Sequence, residues 1–220
     1  MTDQRGNLLS WPRRHARSGI ATCLFASLLG CVVPASASGD EAGSSVEAIW
    51  LVQSFDFDYS SSRFVYACAP LRDKIAAILE AVGARPGVAM DIRCTGDFLQ
   101  TVRARIELAA PVAATAENVR AATTFDDHAK LLARSLRVPL PTANTIERFP
   151  ATWRTISLGH QRQLRLEYGD CELLRGISAQ LFTKMAVRPT VKLHCIEGAV
   201  YRAPRLEVVA LVRDDHALRR

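Results

Sequence analysis

C68-APLRDKIAAILEAVGARPGV-88 and C171-ELLRGISAQLFTKMAVRPTV-191 are one pattern written twice, 103 residues apart and aligned without a gap. Leu71/Leu174, Arg72/Arg175, Ala76/Ala179, Arg85/Arg188, Pro86/Pro189 and Val88/Val191 are identical, as are the opening cysteines. The same offset pairs Trp50 with Trp153 and Ser54 with Ser157, and each window runs on to a second cysteine, Cys94 or Cys195. Beyond these, R105-IEL and R205-LEV recur. Matches on both sides of the window indicate duplication of a whole structural unit.

Each window opens with an amphipathic helix. In the first, Leu71, Ile75, Ile78, Leu79 and Val82 share a face, Pro70 suits the first turn and Gly83 suits the C-terminal cap. In the second, Leu174, Ile177, Leu181 and Met185 have the same spacing, and Asp170 is placed to cap the start. Arg85-Pro86 and Arg188-Pro189 read as helix stops, because proline holds its predecessor extended. Around each helix the pattern changes to a period of two. Residues 48–57, F64-VY, V88-AMDIRC and V102-RARIELAA read as strands of the first copy. T152-WRTISL, Q163-LRLEY, V191-KLHC and R205-LEVVALV are those of the second. The expected fold is therefore α+β, a duplicated strand-strand-helix-strand-strand unit with antiparallel-rich or mixed sheets and one helix per copy.

The expected organisation is a secretory signal peptide over 1–37, a flexible tether over 38–47 and a first repeat over 48–112. A connecting segment over 113–149, a second repeat over 150–213 and a polar tail over 214–220 follow. Arg5, Arg13, Arg14 and Arg17, then an apolar stretch over 19–33 and Ala35-Ser36-Ala37, carry the signal-peptide reading. Leu28-Leu29-Gly30-Cys31 also resembles a bacterial lipoprotein processing box, which would make 1–30 the signal and Cys31 a lipidated N-terminus. Either route predicts a periplasmic or secreted protein, or one anchored to a membrane through lipid alone. Phe125, Leu131, Leu132 and Leu136 predict a helix within the connection, packed on one of the units.

Four cysteines follow residue 37, and an oxidising compartment favours bridges between them. A chain that leaves along a helix and returns along a strand brings Cys68 to Cys94 and Cys171 to Cys195, one disulfide per copy. Their separations suit neither a zinc site nor dithiol exchange. The whole-chain charge of +6 falls to +3 once residues 1–37 are set aside, and no dense basic run remains. Nucleic acid is thus not an expected partner.

Candidates for chemistry are few. His128 beside Asp126 and Asp127 cannot form a relay, since adjacent helix positions do not face one another, and His160 falls in a turn. Asp56 with Asp58, and Glu107 with Glu207, read as polar residues on a wet sheet face. No catalytic, metal or cofactor signature is present in the sequence. Possible interaction residues are Phe55, Phe57, Tyr59 and Phe64, too many aromatics for one core face, and the repeated Arg72 and Arg175. The resulting expectation is an exported, disulfide-stabilised cell-envelope protein acting as a non-enzymatic binding or assembly module, with an envelope protein or a small ligand as partner. An envelope enzyme with a site converging between the copies, or a scaffold subunit, is the alternative.

Overall fold

Alternation of apolar and polar residues decides where the chain extends. The computed structural model describes residues 42–61, 64–93, 98–99, 101–194 and 204–214. Strand β1 (Ser45–Ser60) turns Phe55, Phe57 and Tyr59 inward and Ser54, Asp56 and Asp58 outward. The period of two thus continues beyond residue 57, where the strand was expected to end. A short bridge strand β2 (Tyr66–Ala67) leads into α1 (Cys68–Ala81), which buries Leu71, Ile75, Ile78 and Leu79. Then come β3 (Ala89–Arg93), the bridge strand β4 (Phe98–Leu99) and β5 (Thr101–Ala113). Two connecting helices, α2 (Ala116–Thr123) and α3 (Asp127–Leu136), precede the second copy. That copy has β6 (Arg148–Ser157), two 3-10 turns, α4 (Asp170–Ile177), a π-helical turn over Ser178–Phe182, β7 (Arg188–His194) and β8 (Arg205–Arg213).

The long strands form one six-stranded sheet in the order β3-β5-β1-β6-β8-β7, with every neighbouring pair antiparallel. Each copy supplies three adjacent strands. They meet where β1 pairs with β6, from Ser45 opposite Thr152 to Ile49 opposite Arg148. Both helices pack on one face of the sheet, and a single core joins Leu71, Ile75, Ile78 and Leu79 to Leu174, Ile177, Leu181 and Phe182. Full burial of each such side chain is worth about 1.5–3 kcal/mol. A smaller cluster forms around Phe149, Trp153, Val209 and Leu211.

Three expectations change. The repeated unit in the sheet is strand-helix-strand-strand, because F64-VY contributes only β2, which pairs with β4 apart from the main sheet. In the second copy Q163-LRLEY is not a strand. Residues Arg162–Leu164 make a 3-10 turn and Arg165 is left-handed at φ 44°, so Leu164 drops into the core while the backbone leaves the ladder. The disulfide frame is corrected as well. Cys68 and Cys171 are each disulfide-bonded, but Cys94 and Cys195 lie outside the described residues, and no disulfide joins two described residues. The two copies share one sheet and one core. Cys31 and the expected signal segment also lie outside the described residues. Among the described residues no helix is long and apolar enough to cross a membrane.

Candidate functional site

The second copy departs from the first where its helix ends. In the first, α1 closes at Gly83, whose φ of 105° needs no side chain and whose carbon would otherwise stand 2.5 Å from the Leu211 carbonyl oxygen. The repeat places Ala186 at the equivalent position, and it is left-handed at φ 57°. Ahead of it, Ser178–Phe182 widens into a π-helical turn. A π-turn and a left-handed alanine within one segment are local strain of the kind that proteins concentrate at functional sites.

This strained segment forms one wall of a cavity of about 330 Å³ at the seam between the copies. Thr183, Lys184 and Ala186 come from the turn, Arg188 from the start of β7 and Trp153 from β6. The first copy supplies Leu51 and Gln53 from β1 and Pro111 and Val112 from β5. Lys184 holds its ammonium 5.4 Å from the centre of the Phe55 ring, and the Arg188 guanidinium lies 5.7 Å from that of Trp153. The faces of the two rings hold these cations in place. Trp153 is only 4 % exposed, and its indole nitrogen is buried with no hydrogen-bond partner. Among the described residues, no Asp or Glu lines the cavity.

The repeat has a counterpart of this pair. Arg85, equivalent to Arg188, lies 6.0 Å from the ring centre of Trp50, equivalent to Trp153. The indole nitrogen of Trp50 is likewise buried and unpartnered. Repetition of Trp50/Trp153 and of Arg-Pro after each helix was visible in the sequence, but a helix stop alone explains the proline and not the arginine. Cation-π pairing supplies the missing reason.

A second polar cluster joins the copies by the helix starts. Asp170, 1 % exposed, accepts from Lys74 Nζ at 2.7 Å, from the Tyr66 hydroxyl at 2.7 Å and from the Glu167 backbone N–H at 2.6 Å. Its carboxylate is therefore committed across the seam; the N-terminal cap of α4 is Gly169, which has no side-chain bond. Ser61 donates to Glu172 at 2.6 Å. Burial, reinforced by the Asp170 carboxylate, drives the Tyr66 phenol far above its ordinary range, and burial raises Tyr59 too. With both carboxylate oxygens of Asp170 satisfied, this cluster is a tie between copies.

Phe55, Phe57 and Tyr59 are buried in the core, so they form no exposed aromatic patch. Phe64 is half-buried, edge-on to Tyr168 at 5.8 Å. Arg72 is exposed with Asp73 at 3.7 Å, and Arg175 is exposed on α4. His160 is exposed and sits 3.2 Å from the Ser157 hydroxyl, away from the cavity lining. Asp56 and Asp58 face outward opposite Arg105 and Arg103, with one exposed ion pair at 3.4 Å between Arg103 and Asp58. Such a pair contributes little.

No family model, curated protein or solved structure matches this chain. With no relative to support it, the expectation of an exported, disulfide-stabilised envelope binding or assembly module does not stand. A site converging between the copies was an alternative expectation, but none of Phe55, Phe57, Tyr59, Phe64, Arg72 and Arg175 lines this cavity. Its signal in the sequence was Ala186 where the first copy has Gly83.

Proposed function

We propose that the seam cavity binds a small organic anion, with an apolar body and one carboxylate, sulfonate or phosphate group. The observation that carries this reading is a cavity lined by Lys184 and Arg188 and, among the described residues, by no acidic one. Leu51, Pro111, Val112 and Leu211 offer apolar contact, while ammonium, guanidinium and amide groups are donors that favour an acceptor-bearing guest. About 330 Å³ lies at the small end of ligand-pocket volumes and suits a single ring or a short chain.

The test is titration with the fluorescent anion 8-anilinonaphthalene-1-sulfonate, followed by displacement with octanoate or with octylammonium. Saturable binding, displacement by octanoate alone and about a tenfold weaker affinity in Lys184→Met are the expected results, a loss of roughly 1.4 kcal/mol. Equal displacement by octylammonium, or unchanged affinity in Lys184→Met, rejects the assignment.

For location, we propose the periplasm or the exterior, with a form anchored through Cys31 as the alternative. Support comes from the basic, apolar and small-residue succession over 1–37. Mass spectrometry of the mature N-terminus tests it: a chain still starting at Met1 overturns both forms.

A further inference from the structure

We propose that α3 and the turn after it dock on an anionic phospholipid surface. No residue of α3 is buried, and Leu131, Leu132, Leu136 and Val138 are 64 %, 49 %, 63 % and 57 % exposed. The expected packing of this helix on a repeat unit is thus absent, yet the helix is carefully terminated. Asp126 caps it through a 2.7 Å bond from the Ala129 N–H, and Arg137 closes it in the left-handed region with Val138 donating to the Ala133 carbonyl. A ten-residue helix is marginal in water without tertiary support, so these caps preserve a helix whose apolar side chains serve no core.

The distribution of side chains favours a bilayer over a protein groove. At about 100° per residue, Leu131, Leu132 and Leu136 spread over an arc of roughly 140°, broader than the narrow seam that one partner helix covers. Arg134 borders that arc about 60° from Leu131, placed to reach headgroups while the leucines enter the interface. Lys130 is engaged by Asp127 at 3.1 Å, whereas Arg134 and Arg137 have no carboxylate partner among the described residues. Together with Val138, Pro139 and Leu140 these three cations surround a groove of about 450 Å³ that, among the described residues, is lined by no acidic one. Cations beside exposed leucines are the composition of an interfacial helix on anionic lipid.

Co-sedimentation of the full chain with vesicles, of phosphatidylcholine alone or mixed equally with phosphatidylglycerol, tests the proposal. Wild type is expected to partition at least about tenfold more strongly onto the mixed vesicles and to be released by salt. Leu131→Ser with Leu136→Ser, and separately Arg134→Gln with Arg137→Gln, should each lower partitioning about tenfold, with unchanged circular dichroism because α3 supports no core. Equal binding to both vesicle types, or variants that partition like wild type, overturns the proposal. Concentration-dependent self-association without vesicles, abolished by the leucine variant, also overturns it by assigning the face to a second copy.

Discussion

Gly83 and Ala186 occupy one place in two copies of the same unit and meet the left-handed backbone with different means. Two outcomes follow at this scale. Ala186→Gly relieves the steric cost of the methyl group and should raise stability by about 1 kcal/mol, read as a higher urea midpoint with an unchanged slope. Gly83→Ala drives a carbon to 2.5 Å from a backbone oxygen in the Leu211 strand and should cost more than about 2 kcal/mol in the same measurement. The tyrosines give a pH dependence. Tyr59 and Tyr66 have phenols raised above the ordinary 10.0, so the folded state keeps protons that the unfolded chain gives up. Their contribution is complete below pH 10 and declines as pH rises beyond it. Unfolding midpoints should therefore fall above pH 10, less steeply in Tyr66→Phe; a parallel decline in that variant would assign the loss elsewhere.

Helices and strands were unequally legible. The spacing of Leu71, Ile75, Ile78 and Leu79, and of Leu174, Ile177 and Leu181, marked the buried faces of α1 and α4 because a core-facing stripe repeats with the helix. Val102, Ala104, Ile106 and Leu108 marked β5 by alternation. Leu164, Leu166 and Tyr168 alternate too, yet a turn and a left-handed Arg165 set Leu164 and Leu166 against the core without a ladder, since alternation reports burial and not pairing. The unpacked α3 was illegible for a related reason: amphipathic spacing announces an apolar face but not what covers it. Lys74, 2.7 Å from the buried Asp170, ties α1 to the start of α4. Lys74→Met strands that carboxylate and should cost about 3–5 kcal/mol in denaturant unfolding. Adding Asp170→Leu should return much of the loss; a double variant no better than the single one would deny the coupling.

At the scale of the molecule, the shared core makes the two copies one cooperative object. Calorimetry should show a single two-state transition, and residues 148–213 expressed alone should lack native near-ultraviolet dichroism, because β6 would lose β1 and α4 the core it shares with α1. Two separable transitions would contradict that account. The repeat made the plan of two similar halves legible, whereas the seam cavity arises from long-range convergence of β1, β5, β6 and the turn before β7. The register at the seam carries one more consequence. Val46 faces Ala151 and Ala48 faces Phe149, while the repeat makes Phe149 the counterpart of Val46 and Ala151 that of Ala48. Each position thus meets the other's counterpart, which is the self-complementary pairing of an isologous two-fold dimer. The chain is built as such a dimer with its subunits fused. Fusion frees the halves from identical sequence, so one can keep a glycine for order while the other spends the same position shaping a pocket.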